Sequence, residues 1–360
     1  VAQGERPVPQ GALKPDLKTP GLHQFPRGYP SAGQPAPPGR TSEKFPDRRF
    51  CGNMPEVSVI IATYNRGPLL EEALNSVLSQ TYTDYEVIVV DDGSTDDTPQ
   101  RLLKYGERLK VLSLEHTGKP SVARNAAAAT ASGNLLAFLD SDDIWMPTKL
   151  EQQVAFLHSN PSFVMCYCDA TFLSEDGRLL GRQSHRERLR SGWVLRYLLL
   201  GNFVPFSTVM VQKKVVEEVR GFEEWLTICE DWHLLLKISS KGEVGLLREP
   251  LCQIRVHPQG MTSDKIFLFE EAIRAIEDLA RTLPEASEKY ASYVRRGRAR
   301  MLSMLGRNYL FRGDTAEARR LFWKALADSP LRLDTMPFLA LACLGRRPVL
   351  ALRSLKKALC

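Results

Sequence analysis

Three carboxylates fall within four residues at Asp140, Asp142 and Asp143, directly after the apolar run at residues 135–139. Adjacent like charges raise one another's pKa unless a cation is close. A hard divalent ion such as Mn²⁺ or Mg²⁺ relieves that repulsion with oxygen ligands and commonly bridges substrate phosphates. An isolated Asp-x-Asp is more often a solvated turn. This one follows a segment with the length and apolarity of a buried strand. Two other polar groups stand in the same kind of place. Thr63-Tyr64-Asn65-Arg66 follows the run at residues 57–62, and Asp91-Asp92 follows the run at residues 86–90. Further on, Glu230-Asp231 opens an amphipathic stretch, and His257 closes the run at residues 251–256. Carboxylates at a helix start can be caps or can take a proton as a general base. A neutral imidazole suits Mn²⁺ better than Mg²⁺.

The elements that must carry these residues are legible from periodicity. The β-branched run at 57–62 reads as a strand buried on both faces. Leu70, Ala73, Leu74, Val77 and Leu78 then recur at helical spacing within residues 69–80. A strand at 86–90, a helix from Ser94 or Thr95 to about Tyr105 and a strand at 109–114 follow. The Ala-rich helix at 121–131 stops at Gly133, and the strand at 135–139 ends on Asp140. Strands alternating with helices predict an α/β fold with a mostly parallel central sheet. Ligands of such sheets sit beyond the carboxyl ends of the strands, where the polar clusters stand. Later residues are more mixed. Helices are expected at 149–157, 193–200 and 231–239, strands at 163–167, 244–247 and 251–256, and a hairpin turn at Glu175-Asp176-Gly177. From Phe267 on the pattern is helical.

Five motifs in this order resemble those of family 2 glycosyltransferases with the GT-A nucleotide-diphospho-sugar transferase fold. They are Val57 to Arg66, Val90-Asp91-Asp92-Gly93-Ser94-Thr95-Asp96, Ala123-Arg124-Asn125, Phe138 to Trp145, and Glu230-Asp231-Trp232. The resemblance spans about residues 55–260. It implies a donor site in which Ala62, Thr63, Tyr64 and Asn65 flank the nucleotide, and Asp92 accepts a hydrogen bond from base or ribose. Arg124 lies near the nucleotide, Asp140 and Ser141 face the ribose side, and Asp142 is the main metal ligand, joined by His257. Asp231, with Glu230 beside it, is the base that deprotonates an acceptor hydroxyl in one inverting displacement. Mn²⁺ or Mg²⁺, a nucleotide-sugar donor with uridine as the default base, and a saccharide or lipid-linked saccharide acceptor are the implied partners. A catalytically silent nucleotide-sugar-binding scaffold is the competing reading. A nucleotidyltransferase would want a Gly-rich loop with Lys after the first strand, which Tyr64-Asn65-Arg66-Gly67 does not supply.

Three segments are expected: a Pro-rich, disordered stretch at 1–53, the transferase domain at 54–265, and a helical extension at 266–360. Ten of the 23 prolines lie in the first, with eight Lys/Arg against four acids. That stretch carries much of the formal net charge of +6, so nothing resembles a nucleic-acid footprint. Seven cysteines without a CxxC pair and the lack of an apolar leader fit a reducing cytosol, with peripheral contact at the inner membrane face. In the extension, Leu302, Leu305, Gly306, Tyr309, Ala318, Phe322, Ala325 and Pro330 match one tetratricopeptide-like unit at about 299–330. The basic, apolar stretch at 331–359 could rest on a membrane or a protein partner. Two packed helices with a solvated face are the simpler expectation.

Overall fold

The structure, a computed structural model, describes residues 54–257 and 260–345. The Pro-rich stretch and the basic residues Arg346, Arg347, Arg353, Lys356 and Lys357 lie outside the described residues.

The strands are β1 (Val57–Thr63), β2 (Tyr85–Asp91), β3 (Lys110–Ser113), β4 (Leu135–Asp140), β5 (Ile144–Trp145), β6 (Phe163–Leu173), β7 (Leu179–Arg182), β8 (Met210–Gln212) and β9 (Glu243–Arg255). They form one sheet in the order β3-β2-β1-β4-β8-β6-β9-β5, with β7 paired to β6. The first four in that order are parallel, and so are β6 and β9, whereas β4–β8, β8–β6, β6–β7 and β9–β5 are antiparallel. The half expected from the βαβ rhythm is therefore parallel, and the half built from Ile144 onward is mixed.

Period-2 alternation explains why the central strands are apolar throughout. Ile60, Ile88, Val90, Leu136 and Phe138 enter one core. Val59, Ile61, Val87, Val89, Ala137 and Leu139 enter the other. Helices cover both faces. On one side lie α1 (Gly67–Leu78) and, after the short α2 (Thr98–Leu103), its later neighbour α4 (Lys149–Ser159). On the other lie α3 (Pro120–Thr130), the single turn α5 (Leu195–Leu198) and α6 (Lys213–Glu218), together with α7 (Glu230–Ser239). The helix expected at 193–200 is this single turn. Gly192 exchanges both backbone hydrogen bonds with Val244 and so ties the chain to the sheet just before it. The two strands expected at 244–247 and 251–256 are one strand, β9. Its parallel register with β6 slips around Asp169, opposite Pro250, which has no N–H to give the ladder.

Beyond the sheet the described chain is helical: α8 (Lys265–Thr282), α9 (Pro284–Lys289), α10 (Ala291–Arg312), α11 (Thr315–Asp328) and α12 (Met336–Cys343). Asp264 caps α8 by accepting from the Ile266 and Phe267 N–H groups, and Asp314 caps α11 by accepting from Glu317. Gly313, at φ 94°, makes the left-handed turn between α10 and α11. Two glycines set how closely α10 is approached. A Cβ on Gly306 would lie 2.6 Å from the Phe322 ring, and one on Gly297 would lie 2.1 Å from the Leu199 carbonyl oxygen. A ring can shift; a backbone carbonyl holding a helix end cannot do so cheaply. Gly297→Ala is therefore expected to destabilise by about 1–3 kcal/mol, read as a lower urea midpoint. A change within about 0.5 kcal/mol, the scale of a neutral surface substitution, would show that α10 does not sit this close.

Candidate active site

Parallel pairing aligns the strand ends. Thr63 stands opposite Asp91, and Ala62 opposite Asp140. The polar clusters after β1, β2 and β4 therefore open on one edge, where strand order turns outward on both sides of β1. A cleft of about 600 Å³ lies there, within the size range of small-molecule sites. Ala62, Thr63, Tyr64, Asp92, Arg124, Asp140, Ser141, Asp142, Glu230, Asp231 and His257 all line it.

Asn65 does not line the cleft. Its backbone is left-handed at φ 50°, and its side-chain oxygen accepts from the Thr95 and Asp96 N–H groups at 2.8 and 3.2 Å. It ties the end of β1 to the loop after β2. Asp92 is buried, and its own neighbours engage its carboxylate. It accepts from the Thr117 N–H and hydroxyl at 2.9 and 2.8 Å and from the Gly118 N–H at 2.9 Å. It thus holds the 116–118 loop at the cleft wall. His116, which sequence reasoning missed, stacks on Tyr64 with ring centroids 3.9 Å apart and planes 19° from parallel. Its Nδ1 lies 2.8 Å from the Asp92 carbonyl oxygen. Only its loop position near Asp92 could have flagged it.

The acidic cluster divides by direction. Asp143 points inward, accepting from the Ser207 hydroxyl at 2.5 Å and the Arg255 N–H at 2.9 Å. Burial, with Asp140 and Asp142 nearby, holds its carboxyl well above the usual range. Asp142 faces the cleft. Burial and then the Asp140 charge push its pKa up, against Arg66 and His257. Its Oδ2 lies 3.1 Å from His257 Nε2, a buried nitrogen with no aligned hydrogen-bond partner among the described residues. His257 Nδ1 lies 3.1 Å from Glu175 Oε1, which fixes the ring. Neighbouring ligands of an octahedral ion with bonds of ~2.1 Å stand about 3 Å apart. The Asp142–His257 pair fits Mn²⁺ or Mg²⁺.

Across the cleft, α7 begins at Glu230. Arg124 on α3 forks between the two sides, donating to Asp140 Oδ1 at 2.7 Å and to Glu230 Oε1 at 2.6 Å. Its guanidinium lies over the Phe206 ring at 4.9 Å. The other Glu230 oxygen is buried without a hydrogen-bond partner among the described residues, and burial raises this carboxyl, against Arg124. Burial pushes Asp231 up to about 6, again against Arg124. A second residue missed in the sequence supports this corner. Glu271 on α8 is buried and accepts backbone N–H groups from Thr227, Ile228 and Cys229 at 2.7–3.2 Å. The helical extension thus holds the backbone that leads into α7, whose first residue is preceded by Cys229 with no side-chain cap of its own. No signal within residues 227–231 points to a partner forty residues later.

A family profile described as glycosyl transferase family 2 matches residues 58–219. The chain is 35% identical over 216 residues to a Bacillus subtilis protein named putative teichuronic acid biosynthesis glycosyltransferase TuaG, covering 59% of this chain and 83% of that one. It is 43% identical over 186 residues to the Escherichia coli protein WfgD, covering 49% and 70%. That relative is named UDP-Glc:alpha-D-GlcNAc-diphosphoundecaprenol beta-1,3-glucosyltransferase. The chain spans about a third of the length of three rickettsial relatives that it also matches. Among solved structures, residues 1–349 of Staphylococcus aureus TarS, in complex with UDP-GlcNAc, share the fold. The TM-score is 0.59 at 23% identity, over 76% of this chain and 80% of that one.

Proposed function

The chain belongs to glycosyl transferase family 2, and from that premise we propose that it moves a sugar from a UDP-linked donor to a hydroxyl of a saccharide or lipid-linked saccharide, with inversion. The observation that carries the reading is the divided cleft. Asp140 and Asp142 stand on the β4 side, Asp231 stands on α7, and Arg124 bonds to both sides.

In this reading the β1 and β2 ends receive the nucleoside, with the Tyr64–His116 stack as an aromatic wall and Asp92 holding the loop that carries His116. Asp142 and His257 hold Mn²⁺ or Mg²⁺, which when bound supplies Lewis-acid stabilisation of the diphosphate. The acceptor oxygen attacks the anomeric carbon as the bond from that carbon to the diphosphate oxygen breaks. Asp231 takes the acceptor's proton, and the nucleoside diphosphate departs from the opposite face. Arg124 keeps Glu230 and Asp140 in place beside that path. The names of the TuaG and WfgD relatives support surface polysaccharide or glycolipid synthesis as the setting. No helix among the described residues is long and apolar enough to cross a membrane. The proposal has a lipid-linked acceptor met at the membrane surface.

The direct test is release of nucleoside diphosphate from a panel of nucleotide-sugars, with Mn²⁺ or Mg²⁺ and undecaprenyl-diphosphate-linked or free saccharides. Sugar transfer from at least one UDP-sugar supports the reading. Absence of both transfer and donor hydrolysis across the panel contradicts it. The pH profile carries a second expectation. A base must be ionised to act, and burial raises Asp231 to about 6. Turnover should fall as pH drops through about 6 and level off above it. An acid limb near 4, the ordinary carboxylate range, would mean that a solvated group is the base.

A further inference from the structure

A second group of metal-type ligands lies on the other side of α7. His233 is fully buried, and neither ring nitrogen has an aligned hydrogen-bond partner among the described residues. Its Nε2 lies 3.1 Å from Asp278 Oδ2 on α8, an oxygen that is itself buried and without an aligned partner. Glu223, in the loop before α7, completes the group: one ligand atom from each of the three lies within 4.8 Å of the others.

We propose that His233, Asp278 and Glu223 form a binding site for a divalent transition-metal ion, with Zn²⁺ the best match, separate from the Asp142–His257 pair. One nitrogen and two carboxylates are the donor set of a three-ligand site with a fourth position for water, and Glu223, within 4.8 Å of the other two, has to draw in to complete it. Ligand atoms ~2.0–2.1 Å from a tetrahedral ion stand about 3.4 Å apart, close to the His233–Asp278 separation. Each carboxylate is already held by a cation. Arg281 holds the other Asp278 oxygen at 2.6 Å, and Lys237 holds one Glu223 oxygen at 2.9 Å. These contacts fix the carboxylates and leave Asp278 Oδ2 turned to the ring. A shallow surface depression lined by Trp225, Arg274, Glu277, Asp278 and Arg281 adjoins the group, and Asp278 is the one of the three that lines it. An ion here would pin α7 to α8, alongside the Glu271 contact, two residues from Asp231.

The full chain carrying Asp142→Ala isolates this site from the donor site. Equilibrated with Zn²⁺ and desalted, it should hold about one equivalent by mass spectrometry of the metal. Adding His233→Gln or Asp278→Asn to that background should lower Zn²⁺ affinity at least about tenfold, with an unchanged far-ultraviolet circular dichroism spectrum. If the Asp142→Ala chain retains no Zn²⁺, or if the double variants bind it as tightly, the proposal is overturned and the pair is a bent hydrogen bond. The readout is metal content, so it stands or falls independently of whether sugar is transferred.

Discussion

Asp231→Asn is expected to lower turnover by about 10²–10⁴-fold, the usual contribution of a general base, with the protein still folded and still binding nucleoside diphosphate. Asparagine has the same shape, and its amide oxygen can accept from the Trp232 N–H as the carboxylate does. What it cannot do is take a proton. In the proposed site the donor is held across the cleft, by Asp142 and the strand ends that line it, so KM for the donor should move little. A variant retaining turnover within tenfold of the parent would place the base elsewhere. Glu230 is the poorer choice for this test. It is bound to Arg124 at 2.6 Å, so its removal would free a buried cation and disturb Asp140 as well.

Asp142→Ala should fail for a different reason. Its turnover is expected to fall by about 10²–10³-fold, the scale of losing one group that stabilises developing charge. Here the Mn²⁺-dependent affinity for nucleoside diphosphate should fall with it. The stability effect has the opposite sign. Burial raises the Asp142 pKa in the folded chain. The ionised form is therefore disfavoured by folding, and its cost is present above the unfolded pKa and absent below it. Removing the carboxylate removes that cost. The metal-free variant should melt no lower than the parent at neutral pH. Mn²⁺ with UDP should then raise the parent's midpoint and leave the variant's unchanged. Equal stabilisation of both would take Asp142 out of the metal site.

The strand-end half of the cleft is legible in the sequence because its parts are local. Each of β1, β2 and β4 is a continuous apolar run, and the residue after each run lies at the sheet edge by construction. Parallel register then brings Thr63, Asp91 and Asp140 level. What the carboxylates of the cluster do separately was harder to read. Asp142 and Asp143 are neighbours of the same type, and only Ser207 and the Arg255 backbone decide that Asp143 turns inward. Asn65 was placed at the ligand because it adjoins Tyr64. The left-handed backbone that turns it toward residues 94–96 leaves no mark in periodicity. The Arg124 fork joins residues sixteen and 106 positions apart, and Glu271 on α8 reaches the residues that lead into α7 from about forty positions away. Such long-range polar contacts depend on how elements dock. For the same reason the mixed half of the sheet, where β6 and β9 pair residues about eighty positions apart, is legible only as separate strands.

The central claim is that the strand-end cleft holds a nucleoside diphosphate with a divalent ion. A melting series of the full chain with UDP, GDP, ADP and CDP, each with Mn²⁺, with Mg²⁺ and with chelator, tests it most directly. The account predicts that UDP raises the midpoint when Mn²⁺ or Mg²⁺ is present, and that chelator or Asp142→Ala abolishes the rise. If no nucleoside diphosphate shifts the midpoint with either metal, the cleft is not a donor site.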